Sequence, residues 1–244
     1  MNLVLDIGNT RLKSGLFDGN RLVEQANWTD WTLEELSAFG NQAGADRVIV
    51  SSVAGYDPAT YRRLSALFPL VLELTHETPL PFRNTYRTPE TLGKDRLAAV
   101  AGAQVRFPGQ NCLVVDCGTC IKYDLLTADG VYRGGNIAPG AAMRIRAMHA
   151  FTARLPEVEM RMPEDGVGYS TETALQNGAL RGAVLEITGF AGLFEQQASP
   201  LLVVLSGGDA GFLAPHLALP QMAVEPDLTL HGLNHILKYN ESLY

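Results

Sequence analysis

Val4-Leu5-Asp6-Ile7-Gly8-Asn9-Thr10 and Val114-Val115-Asp116-Cys117-Gly118-Thr119 are two versions of one phrase, the second shorter by one residue. In that alignment Lys13 falls on Lys122, and the pair Asp18-Gly19 comes close to Asp129-Gly130. Each version is an apolar run that ends in a carboxylate and a glycine, which reads as a buried strand entering a turn. Around the first copy, residues 2–7, 11–17 and 21–26 predict three strands, with a hairpin at Asp18-Gly19. Around the second, residues 111–116, 120–127 and 131–134 predict the same meander. An internal repeat implies two similar halves.

Strands and helices alternate after each meander. Thr32-Leu33-Glu34-Glu35 carries a capping-box pattern and opens a helix. Arg47 to Val53 predicts a strand, Asp57-Pro58 starts a helix, and residues 70–74 predict another strand. An Ala-rich helix is expected over 92–106, further helices near 139–153, 171–195 and 228–239, and a strand over 201–205. The pattern predicts an α/β protein with mixed sheets, its two halves facing each other across a ligand cleft. Pro108-Gly109 breaks the chain, which places the halves at 1–109 and 110–244.

With 244 residues, 46% hydrophobic and 18% charged, the chain can bury a real core and is neither disordered nor fibrous. The net charge of −7 and the lack of any Lys/Arg run argue against a nucleic-acid partner. The opening Met-Asn-Leu-Val-Leu-Asp lacks a basic segment and is not read as a signal peptide. No apolar run approaches the ~18 residues of a spanning helix, so no membrane association is expected. The three cysteines, Cys112, Cys117 and Cys120, form a poor disulfide framework. Cytoplasm is the expected compartment.

The repeated phrase also carries chemistry. A carboxylate at a strand end, Asp6, can hold Mg²⁺ directly or through water. Gly8 lets turn amides approach a phosphate, Asn9 and Thr10 add short polar groups, and Lys13 brings a positive charge from the next strand. Read singly, this is equally a plain hairpin. Read with Asp116, Gly118 and Thr119, it becomes one of two loops that grip a polyphosphate. Gly207-Gly208-Asp209 follows an apolar strand and either admits a flat purine ring against the backbone or simply starts a capped helix. Gly93-Lys94-Asp95-Arg96 at a helix start is either an acid favoured by the helix dipole beside an exposed arginine, or a catalytic group. In a loose phosphoryl-transfer transition state, an ordinary Asp suffices to accept the acceptor's proton.

These motifs, in their order, resemble those of type III pantothenate kinases. The resemblance is carried by Asp6 to Thr10, by Tyr86 with Gly93 to Arg96, by Asp116 to Thr119 and by Gly134-Gly135-Asn136-Ile137-Ala138-Pro139-Gly140. Gly168-Tyr169-Ser170-Thr171 with Ala174, Leu175 and Gly178, and then Gly207-Gly208-Asp209, complete it. It implies duplicated actin-like (ribonuclease H-like) domains with ATP between them, and transfer of the ATP γ-phosphate to pantothenate, the first step towards coenzyme A. It further implies a homodimer that uses Mg²⁺ and a monovalent cation, K⁺ or NH₄⁺. By position, Asp95 is the proton acceptor, and Tyr86, Gly93, Lys94, Asp95, Arg96 and Thr171 are pantothenate contacts. Asp6, Ile7, Gly8, Asn9, Thr10, Arg11, Leu12, Lys13 and Thr119 are ATP contacts, joined by Gly207 and Gly208. Asp116 is the monovalent-cation ligand.

Lys122, Cys120 and Ser170 depart from what the family commonly carries. Other features have plainer readings. Cys117 and Cys120 have metal or redox spacing but no second cysteine pair. His231 and His235 lie one helical turn apart without an evident ligand partner, and Trp28 and Trp31 read as packing residues. No Gly-x-x-x-x-Gly-Lys-Ser/Thr loop occurs. A non-catalytic regulator and a kinase for another small acceptor are the competing functions.

Overall fold

The computed structural model describes residues 1–8, 11–52 and 58–243. In chain order the elements begin with β1 (Asn2–Ile7), β2 (Leu12–Asp18), β3 (Arg21–Trp28), α1 (Leu33–Gln42), β4 (Arg47–Ser52), α2 (Pro58–Leu67), β5 (Leu70–Glu73), β6 (Arg83–Asn84) and α3 (Lys94–Arg106). They continue with β7 (Asn111–Cys117), β8 (Cys120–Leu126), β9 (Val131–Pro139), α4 (Ala141–Ala150), α5 (Thr171–Gln176), α6 (Gly182–Glu195), β10 (Leu201–Ser206), α7 (Ala210–Leu213), β11 (Met222–Val224) and α8 (Leu228–Glu241). The expected strand end at Val53 and helix start at Asp57 lie outside the described residues.

The chain forms two compact units: Met1–Gly109 with Ala128–Arg133 and Asp227–Tyr244, and Gln110–Thr127 with Gly134–Pro226. In the first unit the sheet order is β3-β2-β1-β4-β5, antiparallel through the meander and parallel from β1 to β4 to β5. Alternation along β1 sends Leu3, Leu5 and Ile7 to one face, where they pack with Leu33 and Leu36 of α1 and Leu64 of α2. The other face is covered by α8, whose Leu230 comes down beside Gly15, the cross-strand partner of Val4. Val131 and Tyr132 at the start of β9 pair in parallel with β6, within this same unit.

Helix α8 is held tightly. Asn2 Nδ2 donates to Asn234 Oδ1 at 2.9 Å, and Asn234 Nδ2 donates to the Gly19 carbonyl at 2.9 Å, which ties α8 to β1 and to the hairpin turn. Against α3 the two backbones nearly touch. A β-carbon on Gly232 would stand 1.7 Å from the Ala98 carbonyl, and one on Gly102 would stand 2.1 Å from the Leu228 carbonyl. Only glycine permits this crossing, and the alanines of α3 serve the same close approach.

In the second unit the strands run β11-β10-β7-β8-β9. The β7–β8 pair is antiparallel, and β10 is parallel to both β7 and β11. Leu113, Val115 and Cys117 alternate onto a core closed by Ala183, Ile187 and Phe194 of α6 and by Leu213 of α7. The helix expected over 171–195 is present as α5, a π-helical stretch at Asn177–Arg181, and α6. Such a stretch widens one turn and often marks a functional position. Among the described residues, no helix is long and apolar enough to cross a membrane.

Candidate functional site

The two repeated strand ends are built alike. In the first unit, Asp6 at the end of β1 lies opposite Lys13 on β2, and the Gly8 N–H donates to the Arg11 carbonyl at 3.0 Å. In the second unit, Asp116 lies opposite Lys122, and the Gly118 N–H donates to the Cys120 carbonyl at 3.1 Å. The one-residue difference between the phrases is therefore taken up inside the turn, and the Asp/Lys register survives on both sides. Ile7 and Leu12 are buried in the first core, so only their backbone groups can serve a ligand. Asn9 and Thr10 lie outside the described residues.

The second loop is clasped on two sides. The Thr119 carbonyl accepts from the Gly140 N–H at 3.1 Å, which brings the N-terminus of α4 against the turn. From β10, Gly207 adopts φ +88°, and the Asp209 N–H donates to the Cys117 carbonyl at 2.9 Å. Asp209 is the N-cap residue of α7, but its side chain caps nothing, so the capped-helix reading of Gly207-Gly208-Asp209 does not account for it. Burial pushes the Asp209 carboxyl above its usual range. Thr119 and Gly208 are exposed. Lys122 Nζ stands 2.6 Å from Asp116 Oδ2, the two side chains being only 16% and 18% exposed.

The other residues singled out in the first unit gather at the start of α3. The Arg96 N–H donates to Asp95 Oδ1 at 2.9 Å, and a β-carbon on Gly93 would stand 2.5 Å from that oxygen. Arg96 is 3% exposed, so the exposed arginine of the bland reading is corrected to a buried one. Its guanidinium carbon lies 5.4 Å from the centre of the Tyr86 ring, and Tyr86 stacks on Tyr132 at 6.3 Å and 11°. Arginine on an aromatic face is a favourable, geometry-fixing contact. Lys94 Nζ reaches Glu73 Oε1 at 3.7 Å. Tyr86, Gly93, Lys94, Asp95 and Arg96 thus form one group, with Asp95 half-buried in it.

Thr171, in the second unit, is exposed at the first position of α5, behind a Ser170–Thr173 capping box. Beside it a cavity of about 400 Å³ is lined by Arg161, Asp165, Val167, Tyr169, Ser170 and Thr173, among others.

Two features escaped the sequence reading. Ser51 and Ser52 lie in register with Asp6 and Ile7, and their buried hydroxyls find no partner among the described residues. Two serines closing an apolar strand were the available signal. The second feature is the direct Lys122–Asp116 pair. The other motifs are placed as follows. Cys117 is buried, with its thiol pushed up to about 12 by desolvation and by the Asp116 and Asp209 charges. His231 packs edge-on against Phe17 at 5.3 Å. Trp28 Nε1 donates to Ser14 Oγ at 2.9 Å. Among the described residues, no three His, Cys, Asp or Glu side chains cluster to hold a metal.

Solved structures define the class. The chain aligns with a Baf-family protein from Campylobacter jejuni, named as a transcriptional activator, at TM-score 0.66 and 21% identity over 98% of this chain and 99% of that one. It aligns with the ROK hexokinase of Thermus thermophilus at TM-score 0.58 and 16% identity, again over 98% and 99%. These likenesses place the fold among duplicated actin-like proteins.

Sequence comparison gives the family. The profile described as type III pantothenate kinase matches residues 2–192. The chain is 41% identical over 243 residues to the type III pantothenate kinase of Phocaeicola vulgatus, covering 100% of each. It is 44% identical over 242 residues to that of Bacteroides fragilis, covering 98% of each. The chain belongs to the type III pantothenate kinase family.

Proposed function

We propose that the chain transfers the γ-phosphoryl of ATP to the 4′-hydroxyl of pantothenate, releasing ADP and 4′-phosphopantothenate, which opens coenzyme A biosynthesis. One observation carries this beyond the family name: an intact Asp95 beside a buried Arg96 stacked on Tyr86. A protein that only binds need not keep a half-buried carboxylate in such a setting. Asp95 accepts the hydroxyl proton as the phosphoryl departs, and the Arg96 charge favours the anionic groups gathered there. Tyr86, Gly93, Lys94 and Thr171 hold the acceptor.

The ATP contacts are Asp6, Ile7, Gly8, Asn9, Thr10, Arg11, Leu12 and Lys13 in the first unit, and Thr119, Gly207 and Gly208 in the second. The N-terminus of α4 beside Thr119 supports phosphate binding there, because its dipole and unpaired amides favour anions. Mg²⁺ typically arrives on nucleotide phosphates with most of its waters and needs only one or two carboxylates. A single strand-end carboxylate therefore fits it: Asp6 would hold the ion through water, and the ion would neutralise developing phosphate charge. The division into repeated domains 1–109 and 110–244 belongs to the same reading as a division of the sequence repeat, supported by the matched Asp/Lys registers; the compact units depart from it, since Ala128–Arg133 and Asp227–Tyr244 fold with the first.

A homodimer is part of the proposal. Phe151, Tyr169, Leu185 and Val167 of the second unit are 88%, 82%, 66% and 63% exposed, an apolar load that a second copy would cover. The reaction is tested by ADP release from Mg-ATP. Release proportional to added pantothenate is expected; folded protein that makes no such ADP, or prefers another small acceptor, removes the assignment.

A further inference from the structure

The family resemblance places a monovalent cation on Asp116, but the donor set does not suit one. Oδ2 already faces the Lys122 ammonium at 2.6 Å, a charge-assisted contact. Oδ1 lies against the Gly207 turn, where an added β-carbon would stand 2.5 Å from it. A free cation would have to displace the ammonium or sit beside it against like-charge repulsion.

We propose that the Lys122 ammonium does the work of that cation, and that this enzyme needs neither K⁺ nor NH₄⁺. Three observations bear on it. The pair is fixed by the sheet rather than by a loop, since Asp116 and Lys122 are direct cross-strand partners in β7–β8. Its low exposure, 16% and 18%, limits screening by water and salt. The tether also gives the ammonium an effective concentration that a dissolved ion must compete with. The same cross-strand register, Asp6 opposite Lys13, recurs in the first copy, so a lysine opposite the strand-end carboxylate is a repeated device of this chain.

The inference rests on the kinase reading for its activity arm, and the test separates the two. ADP release is measured in potassium chloride and in tetramethylammonium chloride at equal ionic strength. The wild-type rates are expected to agree within about two-fold. Lys122→Thr is expected to lose at least about ten-fold in tetramethylammonium and to recover in K⁺ or NH₄⁺. Lys122→Arg keeps a tethered cation and should need no added ion. Thermal melting without substrate gives a second readout: K⁺ should raise the midpoint of Lys122→Thr and leave the wild type unmoved. A wild-type rate that collapses without K⁺ overturns the proposal, as does a K⁺-dependent wild-type midpoint or a Lys122→Thr enzyme indifferent to the salt. Should Lys122→Thr not fold, the wild-type salt comparison and Lys122→Arg decide. No ADP in any salt would sink the kinase reading instead, and the melting comparison would still decide this one.

Discussion

Gly207 stands where a β-carbon would lie 2.5 Å from Asp116 Oδ1 and 2.4 Å from the Cys117 carbonyl, and its φ of +88° belongs to the region L side chains rarely enter. Backbone and carboxylate therefore share a space that no side chain can occupy. Gly207→Ala should push the turn after β7, the proposed second phosphate loop, out of place. ATP affinity measured by calorimetry should fall by ten-fold or more, since displacements of about 1 Å can cost up to 10²-fold. Unchanged affinity would separate this turn from the nucleotide.

Asp95→Asn should lower turnover by about 10²–10⁴, the usual span for loss of a general base. The amide keeps the shape and still accepts the Arg96 N–H. Calorimetry should therefore show ATP and pantothenate bound as in the wild type. A turnover within a few-fold of wild type would assign the proton to another group.

Gly232→Ala probes the fold away from the chemistry. The added methyl would meet the Ala98 carbonyl at 1.7 Å, so α8 must move off α3. Urea denaturation should show a loss of about 1–3 kcal/mol or more, as for other overpacked sites. An unaltered midpoint would contradict the close crossing.

His235 on α8 predicts an acid-side loss of stability. Burial, with the nearby Lys238 charge, holds its ring below the ordinary value of 6.5. The unfolded chain therefore takes up the proton more readily than the folded one. The contribution is present above about pH 6.5 and is lost as pH falls through the folded-state value. Denaturation midpoints compared on either side of that range should fall on acidification, and less so in His235→Gln.

Cys117 should be chemically silent. With its thiol at about 12, only about 10⁻⁴ of it is thiolate at pH 8. Iodoacetamide followed by mass spectrometry should modify the half-buried Cys120 well before Cys117. Early alkylation of Cys117 would reopen the redox reading of Cys117-Gly118-Thr119-Cys120.

Much of this was legible in residues 2–28 and 111–134, because period-two alternation and Asp-Gly turns are local signals. The Thr32–Glu35 capping box formed as written, with the Glu35 N–H donating to Thr32 Oγ1 at 3.2 Å. The end of β9 was not legible. Gly134-Gly135 reads locally as a breaker, yet the strand runs on to Pro139 because its neighbour supplies the hydrogen bonds. Short β6 and β11 were missed because two- and three-residue strands exist only through their partners. Around the site, residue types and spacing pointed to Asp6, Asp95 and Asp116. They could not show that Lys122 reaches Asp116, or that Arg96 is buried on Tyr86. Those contacts depend on cross-strand register and packing, which no single stretch of sequence states.

Because α8 belongs to the first unit, that unit is assembled from stretches that precede and follow most of the second. Its sheet leaves the ribosome early, but the helix that seals the Val4 face follows only after Pro226. During synthesis the nascent sheet waits, half-covered, while the second unit is translated, an interval in which exposed apolar surface and strand edges favour association. A chain truncated after Pro226 and released from the ribosome should leave the first unit open to protease while the second resists; equal protection of both would show that the early sheet closes by itself.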